Sequence, residues 1–372
     1  MKNGVKIALV LAGALAVTGI GMTVGGMAAG AFDEDTPGFE KNRLVQWLRR
    51  RTHDVVTVEG SEELPSDPAD WEAYRARDEV DWKSFGAEEA IWRVEVEGDI
   101  LELEIRNADE SLMDDSDGEQ ETLLPGGAAV RSRWRKGTQP TVDVHAQDGV
   151  LYVSVEAGTD GMGENGAPEV TVYLPGGEVS QLAADLDVGT AELEGMLQLD
   201  QLDLSVGTGN LELGDDSGAV ICIAESAVLN CSMGDVDAGL LECLGDMQIA
   251  VNMGDADLTF LTLNGNLSVE NGAGDVDVEL PFPGTDDWAD GLNYSLSTGM
   301  GEISCDAWEF YEEHRMSSEE TWEHGGEVHG GGSGNHFSDS GVNQDLQLTN
   351  NPGGSTITIQ SKTGDISVSY LY

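Results

Sequence analysis

The chain is short of positive charge. Only 18 of its 372 residues are Lys or Arg, against 70 Asp or Glu, and the formal net charge is −52. No Lys or Arg falls between Lys136 and Arg315, although acids run through that whole span. Such a surface excludes nucleic acid as a partner, because binding a phosphate backbone needs cations that displace its counterions. It also disfavours anionic lipid faces. It suits solubility, cation binding or a basic partner. Cysteine is scarce as well. Cys222, Cys231, Cys243 and Cys305 show no CxxC spacing and are too few to frame a chain of this length, so small buried hydrophobes are the expected role. Motifs of catalysis are missing: there is no nucleophile elbow, phosphate loop or Cys–His pairing. The expectation is therefore a protein that is not an enzyme.

What is present begins with an apolar start. Lys2 and Lys6 precede an uncharged run, "IALVLAGALAVTGIGMTVGGMAAGAF", from Ile7 to Phe32. That length spans a bilayer, while "AGA" at Ala29 to Ala31 resembles a signal-peptidase site. Residues 1–32 are expected to be a transmembrane anchor or a signal peptide, with the anchor preferred because the run is long. The basic start places the N-terminus in the cytoplasm and the bulk outside it, although Lys41, Arg43, Arg49, Arg50 and Arg51 follow the span. Residues 33–90 have a mixed pattern and are expected to form a partly helical juxtamembrane stalk. "LPSDPADWEAYRARDEVDW" offers Ser66 or Asp67 as a cap and Pro68 in the first turn.

From Ile91 the period becomes two. "IWRVEVEGDILELEI" is expected to be a strand, a Gly-Asp turn and a second strand, and "TVDVHAQDGVLYVSVEAG" a hairpin turning at Asp148-Gly149. "RSRWRKG" puts Arg131, Arg133 and Arg135 on one face of an extended segment, and "PEVTVYLPGG" is a strand stopped by Pro175. A repeat follows. Glycines 189, 209, 234, 254 and 274 are spaced by 20, 25, 20 and 20 residues and open "GTAEL", "GNLEL", "GDVDA", "GDADL" and "GDVDV". A second series lies half a period away, with "GDMQI" at Gly245 and "GNLSV" at Gly265. A fixed period near 20 marks a solenoid, whose coils bury their apolar faces only by stacking.

Alternation after each glycine sends Ala191, Leu211, Val236, Ala256 and Val276 inward, then Leu193, Leu213, Ala238, Leu258 and Val278. The five extra residues before Gly234 are expected to bulge near "GDDSG". "GEISC" at Gly301 and "GDISV" at Gly364 continue the unit, so Cys305 is a core residue. The fold class is thus all-β, a parallel β-solenoid (β-helix) over residues 91–372, with an insertion at 306–354.

The basic start with its Gly-rich span, "VEVEGDILELEI", "DGVLYVSV" with "VTVYLPGG", and the GD repeats ending in "TGDISVSY" resemble the bacterial "putative adhesin" family of unknown function, which includes relatives encoded beside Lia-type envelope-stress sensors. The resemblance implies a β-solenoid displayed at the cell envelope, linked to stress sensing or surface attachment. It supplies no catalytic residues. The insertion and the extreme acidity depart from the family pattern.

Two candidate sites follow. Asp235, Asp255 and Asp275 stack in one outward ladder, and Glu192, Glu212, Asp237, Asp257 and Asp277 in another. Carboxylates about 4.8 Å apart repel by roughly 1 kcal/mol in water. The ladders are either splayed and solvated or a row of Ca²⁺ sites, and no other cofactor is expected. In the insertion, Trp308, Phe310, Tyr311 and Trp322 are either a face for a surface or membrane-protein partner or packing against the solenoid flank. His314, His324, His329 and His336 lie nearby at irregular spacings, without the HExxH of a zinc site. The leading expectation is a membrane-anchored, non-catalytic binding or scaffolding protein. The alternatives are a Ca²⁺-stabilised structural surface protein and a carbohydrate-active β-helix enzyme.

Overall fold

The computed structural model describes residues 55–63, 79–87, 90–107, 128–135, 140–156, 167–214, 220–282, 292–309, 336–339, 343–351 and 353–371. The expected anchor at 1–32 lies outside them. Among the described residues no helix is long and apolar enough to cross a membrane.

The lead-in strands are β1 (Val55–Glu63), β2 (Glu79–Ala87), β3 (Arg93–Asn107), β4 (Ala129–Arg135), β5 (Thr141–Gln147), β6 (Val150–Glu156) and β7 (Glu169–Leu174). The repeat comprises β8 (Glu178–Glu194), β9 (Leu197–Thr208), β10 (Leu211–Leu213), β11 (Ile221–Met233), β12 (Val236–Cys243), β13 (Asp246–Val251), β14 (Ala256–Leu263), β15 (Leu267–Asn271) and β16 (Val276–Pro281). The C-terminal strands are β17 (Asn293–Thr298), β18 (Ile303–Cys305), β19 (His336–Asp339), β20 (Gln344–Thr349), β21 (Thr356–Ser361) and β22 (Ile366–Leu371).

The repeat coils stack in parallel and in the register that the glycines set. Ala191, Leu211, Val236, Ala256 and Val276 form one column of direct neighbours, and Leu193, Leu213, Ala238, Leu258 and Val278 the next. All ten are buried. Each coil also carries a segment that the repeat pattern did not distinguish. Leu197, Ile221 and Leu241 stack in a short third ladder between the other two. The long spacing before Gly234 is taken up around this third ladder, part of it as a register shift between Ile223 and Ser226. Residues 215–219 lie outside the described residues.

Corners need glycine for two reasons. Gly254 has φ 139°, which L side chains rarely adopt, and a Cβ there would sit 2.0 Å from the Gly234 carbonyl oxygen. Gly209, Gly234, Gly274 and Gly364 repeat both constraints.

Several expectations change. Residues 93–107 are one continuous strand rather than a hairpin. Its two halves pair in parallel with the two halves of β8, so Gly98-Asp99 carries the chain around a coil corner without reversing it. The expected stalk contributes β1 and β2, an antiparallel pair extended by β4. Glu79–Trp82, read as helical, is strand, because its alternation fits the edge of β4. The hairpin at Asp148-Gly149 is present, with both residues at positive φ (55° and 76°) and β5 antiparallel to β6. Three cysteines are buried, but Cys222 is only half-buried, since it alternates outward between the buried Ile221 and Ile223.

The described parts of the insertion join the fold. It opens with a single helical turn at Asp306–Glu309. β20 then pairs antiparallel with β17, and β19 with β20. The coils do not stack in chain order at this end. β22 lies between β16 and β18, and β21 between β15 and β17.

Candidate functional site

The two aspartates of each GD unit do different things. The first turns back on the stack. Asp235 Oδ1 accepts the N–H of Asp255 at 2.9 Å, Asp255 Oδ1 that of Asp275 at 2.8 Å, and Asp275 Oδ1 that of Asp365 at 2.8 Å. The chain of bonds starts at Asn210 Oδ1, which accepts from Asp235, and ends at Glu302, whose N–H donates to Asp365 Oδ1. A shorter spine runs along another corner: Asn266 N–H donates to Asp246 Oδ1, and Thr356 N–H to Asn266 Oδ1. At these corners the backbone turns away from its ladder, and the side chains supply acceptors for amides that would otherwise lack a partner in the next coil. Asp235, Asp255 and Asp275 are therefore structural acceptors. A carboxylate bonded to an amide is stabilised where a bare row would only repel.

The second aspartates form an open row. In register, Glu104, Glu192, Glu212, Asp237, Asp257 and Asp277 are successive neighbours on one ladder, after which the row turns neutral at Ser367 and Ser304. Asp257, in its middle, has its carboxyl pushed above the ordinary range, first by burial and then by Asp277, Asp237, Asp255 and Asp235. The sequence showed the part from Glu192 onward. Glu104 was invisible, because it joins the row from β3, far from the repeat in sequence.

The charge at the row's N-terminal end is partly offset from within. Glu104, Glu192 and Glu194 present carboxylate oxygens within 4.8 Å of one another. Arg106 fills that cluster, pairing with Glu104 and, through Nη2, with Glu194 Oε2 at 2.6 Å. Thr171 Oγ1 donates to Glu104 Oε2 at 3.0 Å. Burial raises the Glu104 carboxyl, and Arg106 pulls it back. A second cluster, also unseen in the sequence, gathers Glu97, Asp99 and Asp185 beside Asp187. Burial is the first cause of the raised pKa of all three, and mutual repulsion adds to it.

Of the aromatic candidates, Trp308 is partly buried and packs against the hydrophobic core. Phe310, Tyr311 and Trp322 lie outside the described residues, as do His314, His324 and His329.

Among solved structures, the chain is similar to a "putative cell adhesion protein" from Clostridium sporogenes (11% identity, 85% of this chain and 100% of that one, TM-score 0.28). It is also similar to a "putative adhesin" from Bacteroides fragilis (10%, 78% and 97%, TM-score 0.30) and to one from Parabacteroides merdae (11%, 80% and 98%, TM-score 0.26). No curated protein matches. The profile of the Toastrack DUF4097 family matches residues 125–330, which hold the hairpin strand β6, β7 and every GD coil up to Gly301. With more than half of its length matched, the chain belongs to the Toastrack DUF4097 family.

Proposed function

We propose that the protein is a membrane-anchored solenoid displayed at the bacterial cell envelope, with a non-catalytic binding or scaffolding role in adhesion or envelope-stress sensing. The carboxylate row from Glu212 to Asp277, beyond the Arg106 pairs, carries this reading. It is a line of like charge with one acid per ladder step, which suits a basic surface or membrane-protein partner and repels nucleic acid. The engagement of Asp235, Asp255 and Asp275 by backbone amides supports a non-catalytic role, since those acids are committed to structure. The uncharged run from Ile7 to Phe32 supports anchoring. Protease treatment of intact cells expressing the full chain tests the display. Degradation of the solenoid with a membrane-retained remnant is expected, and a fully protected, soluble chain would reject it.

A second reading, Ca²⁺ stabilisation, is favoured by one observation. Asp237, Asp257 and Asp277 are one ladder step apart and no ion pair neutralises them among the described residues. Two oxygens about 4.8 Å apart are within reach of one Ca²⁺ at roughly 2.4 Å from each. A melt with and without millimolar Ca²⁺ decides it: binding to the native state raises the melting temperature, and an unchanged melt sinks the idea.

A further inference from the structure

The stacking order at the C-terminal end is out of sequence. Coil 267–281 is followed in space by residues 356–371 and only then by residues 293–305. We infer that Thr356–Leu371 is a closing strap, seated after residues 293–305 have already stacked on coil 267–281, and that the slot between those two coils is a binding site for this segment.

The three coils are interchangeable in register. Their inward residues are Leu267, Ile357 and Tyr294 on one rung, Val269, Ile359 and Leu296 on the next, and Val276, Ile366 and Ile303 across the corner. The corner bonds are interchangeable too. Asp365 Oδ1 accepts the N–H of Glu302 at 2.8 Å, and Asp275 Oδ1 presents the same acceptor one step below. Thr298 Oγ1 donates to the Gly364 carbonyl at 2.8 Å, and the Gly274 carbonyl occupies the equivalent place. With the strap absent, residues 293–305 therefore find a matched edge on coil 267–281.

That edge exists first. Synthesis at about 5–20 residues per second leaves a few seconds between the appearance of residue 305 and that of the strap. Hairpin pairing takes on the order of microseconds, well inside that interval. In the full chain too, residues 293–305 reach coil 267–281 across a shorter loop than the strap does, so the sequence-ordered stack has time to form first.

The seated strap also carries a local cost. Its Ser361 is 5% exposed, and its hydroxyl has no partner. The Ser361 rung lies directly against that of Asn271, whose Oδ1 is likewise buried and unpartnered. Earlier coils place Val206, Cys231 and Val251 at this inward position. The strap is held by ladder pairing on both sides, by its buried Ile357, Ile359, Ile366 and Val368, and by its lead-in. Asn293 Nδ2 donates to the carbonyls of Asn351 (2.9 Å), Gly354 (3.2 Å) and Ser355 (3.3 Å), and Asn293 Oδ1 accepts the Asn351 N–H. From the other flank, Asn264 O accepts from Ser355 Oγ at 2.6 Å.

The test uses the full chain with Cys222→Ser, Cys231→Ala, Cys243→Ala and Cys305→Ala, so that no native thiol competes during refolding, and with paired outward cysteines. Ser268 neighbours Thr358, and Thr358 neighbours Ser295. S268C/T358C is one ladder step apart, about 4.8 Å, whereas S268C/S295C is two steps, about 9.6 Å, beyond the roughly 7 Å that a disulfide bridges. Each chain is refolded from denaturant and oxidised in a brief pulse at increasing delays. Early pulses are expected to trap S268C/S295C, and late pulses to trap only S268C/T358C. Failure to trap S268C/S295C at any delay overturns the proposal. Should the cysteine variants not fold, native-state hydrogen exchange on the unsubstituted chain decides instead. Amides of residues 357–361 are expected to exchange by an opening that leaves 267–271 protected. Common exchange of both segments refutes the strap.

Discussion

Replacing Asp255 separates the two roles a carboxylate can play in a GD repeat. Its Oδ1 accepts the Asp275 amide at 2.8 Å, while its own amide donates to Asp235 Oδ1. Asp255→Ala removes the acceptor and leaves the Asp275 N–H facing only solvent. A hydrogen bond to a charged group contributes roughly 1.5–3 kcal/mol, and an exposed one lies at the low end, so the expected loss is about 1–2 kcal/mol. Asp255→Asn keeps the acceptor and removes charge from between Asp235 and Asp275. Carboxylates one ladder step apart repel by roughly 1 kcal/mol in water and more nearer the protein, so Asn is expected to be neutral or stabilising by up to about that amount. The chain already makes this exchange, with Asn210 and Asn266 as acceptors at equivalent corners. Urea or thermal unfolding of both variants in Ca²⁺-free buffer is the assay. Equal losses for Ala and Asn would show that charge, rather than the acceptor, holds the corner, and the spine would be refuted.

Gly254→Ala forces a Cβ to 2.0 Å from the Gly234 oxygen at φ 139°; a loss of at least about 3 kcal/mol is expected, and an unfolding curve that does not move contradicts it. Ser361→Val replaces a buried, unpartnered hydroxyl with the residue used at Val206 and Val251. A gain of about 1–2 kcal/mol is expected, and a loss would mean that the hydroxyl is satisfied. Acidification should stabilise the fold just above the ordinary carboxylate range. Asp257, Glu97, Asp99 and Asp185 have folded-state pKa values raised above the ordinary 3.8 or 4.5, so the folded state binds more protons than the unfolded one in that window. The melting temperature is expected to rise as pH falls from neutral towards the raised values, with a smaller rise in Asp257→Asn. A flat or falling profile over that window contradicts the burial of these groups.

The coil period, the inward columns and the core position of Cys305 were legible because a repeated strand writes its register into the spacing of its glycines. The acceptor role of Asp235, Asp255 and Asp275 was not. Alternation places a side chain outside the core but says nothing of whether it reaches back to the next coil's amide. Glu104, Arg106 and Thr171 were hidden for another reason, since they meet the repeat only through strand pairings that span more than sixty residues. The hairpin expected at Gly98-Asp99 failed because Gly-Asp marks both a reversal and a coil corner. Only the strand on the far side of the corner distinguishes them. The out-of-order strap was illegible on the same physical ground: its apolar alternation alone does not say on which side of coil 293–305 it stacks.

The spine of corner aspartates is the centre of this account, and hydrogen exchange at single residues tests it most directly. Amides of Asp255, Asp275 and Asp365 sit on exposed corners, outside the strand ladders. If the preceding aspartate accepts each of them, they exchange as slowly as the flanking ladder amides of Ala256, Val276 and Ile366. Exchange at the rate of unbonded surface amides would contradict it.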